Sequence, residues 1–95
     1  MSTRVLLLHQ RIHDADALAR YRAQAHDLVE HYGGRVRARP DAIHALEGSA
    51  PALAICIEFP DVDSARRWYD SPEYGAARLL REGASDAQLL LIDEQ

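Results

Sequence analysis

The chain has 95 residues, enough for one modest core and not for two. Apolar residues make up 47% and charged residues 27%, the balance of a globular domain and not of a disordered or membrane-embedded chain. Fifteen acids against eleven bases give a net charge of −4 without long runs of one sign, which argues against a nucleic-acid partner, since phosphate binding wants a basic stripe.

All eleven bases are arginines, and a chain without lysine has neither Schiff-base chemistry nor lysine-anchored pyridoxal phosphate. The lone cysteine, Cys56, leaves no intrachain disulfide and no zinc site of several cysteines. Apolar runs such as Val5 to Leu8 are far too short for a bilayer span. Met-Ser-Thr-Arg leads straight into that run without the layout of a secretory signal. A cytoplasmic protein with no membrane partner is expected, with residues 1–95 as a single domain.

Val5 to Ile12, rich in branched residues and bounded by His13 and Asp14, reads as a first strand. Asp14 is placed to cap a helix whose apolar stripe is Leu18, Tyr21, Ala25, Leu28, Val29 and Tyr32, with Gly33-Gly34 ending it. Arg35 to Arg39 alternates as a half-buried strand up to a turn at Pro40-Asp41, and Ile43 to Glu47 is a short further piece that either pairs locally or continues the same edge. After a loop at Gly48 to Pro51, Ala52 to Phe59 alternates strictly, with Leu53, Ile55, Ile57 and Phe59 on one face and Ala54, Cys56 and Glu58 on the other. Asp61 or Asp63 caps a helix carrying Ala65, Trp68 and Tyr69. Ser71-Pro72 breaks it and starts a second piece running to Gly83, and Gln88 to Ile92 is the last strand.

This β-α-β-β-α-β order favours an α+β ferredoxin-like sandwich, an antiparallel sheet with both helices on one face. The first and last strands are nevertheless apolar on both sides, Val5 and Leu7 against Leu6 and Leu8, and Leu90 and Ile92 against Leu89 and Leu91. Exposing roughly 500 Å² of such a face forgoes on the order of 12 kcal/mol, an upper bound before association costs. A second copy of the same sheet is the simplest cover, so the expected partner is the chain itself, as a homodimer.

Tyr21-Arg22, Tyr32-Gly33-Gly34, Leu46-Glu47-Gly48, Glu58-Phe59-Pro60 and above all Trp68-Tyr69-Asp70-Ser71-Pro72-Glu73-Tyr74 resemble, in order and over nearly the whole chain, the domain-of-unknown-function family 1330 (DUF 1330). The resemblance implies a dimeric α/β barrel, in which two ferredoxin-like sheets pack face to face, and no particular activity. Superfamily relatives include cofactor-free monooxygenases, muconolactone isomerases, haem-degrading oxygenases and stress-responsive proteins. The haem-degrading type is disfavoured, because no histidine follows His44 and the chain has no asparagine.

Glu58 is a candidate general acid/base partner of His9 if His9 faces the same side of adjacent strands, with a structural ion pair as the plainer account. Arg37 and Arg39 have the spacing to clamp a carboxylate, or simply to solvate an edge. Trp68 and Tyr74 flank the Ser71-Pro72 break and, by resemblance to the monooxygenases, are candidate ligand contacts; Tyr21 reaches the same space from the first helix. All three also suit plain core packing.

No metal site is expected. His9 and His13 stand roughly 13 Å apart along a strand, and His26 with Glu30 and Asp27 with His31 have the spacing of surface pairs. Cys56 reads as a small hydrophobe and not a nucleophile. The resulting expectation is a small organic ligand bound between sheet and helices, with cofactor-independent oxygenation or isomerisation as the reaction class and no cofactor. The alternative is a dimeric structural or stress-related module without ligand chemistry.

Overall fold

The computed structural model describes residues 2–37 and 43–94. Its elements are β1 (Ser2–Ile12), α1 (Ala15–His31), β2 (Arg35–Val36), β3 (Leu53–Phe59), α2 (Val62–Asp70), α3 (Pro72–Leu79) and β4 (Ser85–Glu94). The strands form one antiparallel sheet in the order β2-β3-β1-β4, the ferredoxin-like arrangement, with the long β1·β4 ladder along one side and β3·β1 at its centre. A register shift between His9 and Arg11 lets β4 follow β1 to its polar end.

The caps are those the sequence announces. Asp14 Oδ1 accepts from the Ala17 N–H at 3.0 Å, and Asp61 Oδ1 accepts from the Ser64 N–H at 2.7 Å. Ser71 serves two helices at once. Its hydroxyl donates to the Trp68 carbonyl at 2.8 Å and accepts from the Tyr74 N–H at 3.1 Å, while Pro72 occupies the first turn of α3.

On the helix side, Val5, Leu7, Ile57 and Phe59 meet Leu18, Val29, Trp68 and Tyr74 in one core. The other side carries no element among the described residues. Leu6 lies opposite Cys56 and Leu90, and Leu8 opposite Ala54; Leu90 and Ile92 are 39% and 42% exposed. Cys56 is half-buried on this open face.

Three expectations change. Ile43 to Glu47 forms no strand, its residues being largely exposed polar and small ones without a partner ladder. The last strand starts at Ser85 and not Gln88, since β1 offers backbone partners back to Ile12. α3 ends at Leu79, and turns rather than helix carry the chain to Gly83. β2 itself ends at Val36, with one further backbone bond from Arg37 to the Cys56 carbonyl at 2.8 Å, and residues 38 and 39 of the expected strand and the Pro40-Asp41 turn lie outside the described residues.

Gly34 is required for space. A Cβ there would sit 2.6 Å from the Phe59 ring and 2.9 Å from Val29, both deep in the core. Gly34→Ala is therefore expected to cost about 1–3 kcal/mol in urea unfolding, as overpacking does, whereas Gly75→Ala on α3, where a Cβ meets nothing within 4 Å, is expected to be neutral or stabilising.

Candidate functional site

Alternation along β1 turns Thr3, Val5, Leu7 and His9 towards the helices, and His9 is fully buried. Its Nδ1 lies 2.8 Å from the Ser85 hydroxyl across the ladder, and its Nε2 has no partner among the described residues. Burial, reinforced by the positive charges of Arg81 and Arg22, lowers its pKa to about 4, so the ring is neutral at physiological pH.

Glu58 lies on the opposite side of the sheet. It pairs in register with Arg4, and its carboxylate stands 3.9 Å from both Arg4 and Arg37. The expected His9–Glu58 couple is therefore not formed. His9 is opposite Leu53, and residues of Glu58's parity face away from it, which leaves the plainer ion-pair account of Glu58.

Tyr21 of α1 and Tyr74 of α3 meet hydroxyl to hydroxyl at 2.8 Å, with their rings edge to face. Burial first, and the neighbouring Tyr74 second, push the Tyr21 pKa up, so it remains a phenol. The Arg81 guanidinium lies 5.2 Å from the centre of the Tyr21 ring. Trp68 packs on Tyr74 with ring centres 4.3 Å apart and planes inclined at 42°, and its indole N–H is buried without an acceptor among the described residues. Arg81 has no counterpart in the sequence reading, because a lone arginine in a turn carries no periodic signal.

Between α1 and the β1–β3 half of the sheet lies a cavity of about 330 Å³. Leu7, Ile55 and Ile57 form its floor, Ala25 and Val29 one wall, and Trp68 contributes from α2. Tyr21, Arg22 and His26 supply its polar groups, while Arg37 borders it from the end of β2 with its side chain turned to Glu58 on the other side of the sheet, so Tyr21 and Trp68 share the cavity and Arg37 does not extend into it. Tyr74 is not in the lining. It stands fully buried behind Tyr21 and Trp68 and fixes both. Volume and apolar walls suit a small organic molecule.

His26, which also lines the cavity, joins Asp27 and Glu30 in placing one ligand atom each within 4.8 Å of one another on the exposed side of α1, where His26 Nδ1 and Glu30 are 3.4 Å apart. His13 pairs with Asp86 at 3.1 Å, also in solvent.

The lowered pKa of His9 has a thermodynamic sign. The unfolded chain, with an ordinary histidine near 6.5, takes up its proton before the folded one does, so the stability due to neutral His9 is complete above that pH and drains away as pH falls towards about 4. Urea unfolding at pH 7.5 and 4.5 should show the wild type losing about 2 kcal/mol more than His9→Gln over that interval. Equal losses in the two proteins would mean that His9 titrates as a solvated ring.

A family model described as a domain of unknown function (DUF1330) matches residues 5–95. No curated protein matches the sequence. Among solved structures, a protein of unknown function from Rhodopseudomonas palustris superposes with a TM-score of 0.79 at 21% identity, covering 99% of this chain and 82% of that one. A cofactor-independent oxygenase from Streptomyces nogalater, SnoaB, superposes with a TM-score of 0.66 at 12% identity, over 99% of this chain and 92% of that one. A dimeric ferredoxin-like protein of unknown function from Jannaschia sp. CCS1 reaches 0.66 at 9% identity, over 99% and 100%. At such identities the likeness is one of fold.

Proposed function

We propose that this chain, which belongs to the DUF1330 family, binds a small organic molecule in the cavity between α1 and the sheet, and does so as a homodimer. The observation that carries the reading is the cavity itself. A chain of this size normally closes its core to native density, yet here some 330 Å³ stays open between α1 and the sheet, with Trp68 in its lining. Tyr21 and Trp68 are the ligand contacts, with Tyr74 holding both in place and Arg37 turned away towards Glu58. His9 and Glu58 do not enter as a couple.

The oxygenase from Streptomyces nogalater makes cofactor-independent oxygenation, with isomerisation beside it, the reaction class to try first. That step rests on likeness of fold alone. A second reading, a dimeric module without ligand chemistry, draws on the internal pairing of Tyr21 with Tyr74 and of His9 Nδ1 with Ser85.

Native mass spectrometry of freshly purified protein separates the two. The expected spectrum is two chains with a retained small molecule, and Ala25→Phe, which fills the cavity from α1, should release the molecule and leave the dimer intact. Two bare chains, with an emission from Trp68 that apolar probes do not move, would favour the structural module.

The dimer has its own test on the open sheet face. Leu90→Arg places a charge opposite Leu6 and is expected to give monomers in sedimentation velocity, with the helix-side core unchanged by circular dichroism. A wild type that sediments as a monomer would remove the dimer from the proposal.

A further inference from the structure

The helix side of the sheet holds a second recess, of about 190 Å³, between α2 and the β1–β4 half of the sheet. Val5, Leu89 and Leu91 form its floor, and Ala65 borders it from α2. Trp68 lines it too. Trp68 is also in the lining of the larger cavity beside α1, and among the described residues no other side chain lines both.

The floors of the two spaces are one surface. Cross-strand pairing sets Ile57, Val5 and Leu91 in one row and Ile55, Leu7 and Leu89 in the next, all on the helix side, so apolar side chains run without a break from β3 across β1 to β4. The division comes from above that floor, from the buried indole of Trp68 on α2. Three other aromatic rings hold it: the centres of Tyr74, Phe59 and Tyr69 lie 4.3, 5.6 and 6.3 Å from its own. Tyr74 is in turn fixed to Tyr21 through their hydroxyls at 2.8 Å. Packing of this kind makes a fixed wall and not a swinging gate.

Size decides which space takes a ligand. Pockets for small organic molecules run upward from about 300 Å³, so the larger cavity, at about 330 Å³, suffices alone and the recess under α2 does not. Resting on the reading that the larger cavity holds the ligand, we infer that Trp68 is a specificity-determining residue, its indole being the end wall that limits how long a ligand can be. Removing the wall joins the recess to the cavity, and a longer molecule then lies along the shared floor. The wild type thus selects a compact apolar body and turns away an extended one.

The test uses the full chain and the straight-chain alcohols from 1-butanol to 1-decanol, with affinity read from the methyl resonances of Ile55 and Ile57 in the larger cavity. Each carbon that finds apolar cover tightens binding about fourfold. In the wild type the gain is expected to stop partway along the series, where the chain meets Trp68. In Trp68→Leu it should continue, so that the longest alcohols bind at least about tenfold tighter than they do to the wild type, less than the worth of two buried carbons. Leu91→Phe fills the recess from a position on β4 that is 39% exposed; it should cancel that gain in the Trp68→Leu background and leave the wild-type series as it was. Leu91→Phe alone also decides the matter if Trp68→Leu does not fold: an unmoved break supports the wall, and a shortened series means that the two spaces are already joined and overturns it. A wild-type series that tightens through 1-decanol without a break, or a folded Trp68→Leu whose break stays at the wild-type length, would overturn the inference and leave the cavity reading standing. Methyl resonances of Ile55 and Ile57 that no alcohol moves would bring down both.

Discussion

Strand β1 has to be covered twice, and the rest of the molecule follows from that constraint. It lies between β3 and β4, so it has no edge to expose, and its side chains are apolar in both directions. On one side Val5 and Leu7 draw α1, α2 and α3 down onto the sheet. On the other, Leu6 and Leu8 join Cys56, Leu90 and Ile92 in a face that this chain cannot roof with its own described residues. The helices cover one side with a gap over β3, and the gap is the cavity. The fold, the uncovered sheet face and the cavity are thus three outcomes of one strand.

Much of the architecture was legible because periodicity is a local signal. The three-and-four spacing from Leu18 to Tyr32, the strict alternation of β3 and the capping residues Asp14, Asp61 and Ser71 each declare themselves within a few residues. What escaped depends on partners remote in sequence. Ser85-Asp86-Ala87 has no strand-like pattern and is a strand only because β1 presents Ile12, Arg11 and His9 to it. Ile43 to Glu47 fails the other way, since a plausible strand segment with no ladder to join is left as loop.

The site divides along the same line. Tyr21 and Trp68 sit where the helical stripes put them, and Arg37 where an edge strand does. His9 was undecidable from sequence, because a strand apolar on both faces gives parity no meaning until one knows which face the helices choose. Once they choose, His9 is inside with Ser85, and Glu58 is outside with Arg4 and Arg37. Tyr74 illustrates a further limit. An aromatic beside a helix break is easily taken for a ligand contact, when its work here is to hold the residues that face the cavity.

One hydroxyl group ties this arrangement to the way the protein opens. Ser71 ends α2 through the Trp68 carbonyl and begins α3 through the Tyr74 amide, so neither helix can fray at that corner without stripping the other of its terminal hydrogen bond. The two short helices, 9 and 8 residues long, thereby behave as one cooperative unit instead of two marginal ones. Because Trp68 and Tyr74 lie on either side of that corner, amide hydrogens there should exchange together and slowly, and the cavity's aromatic wall is as durable as the domain itself.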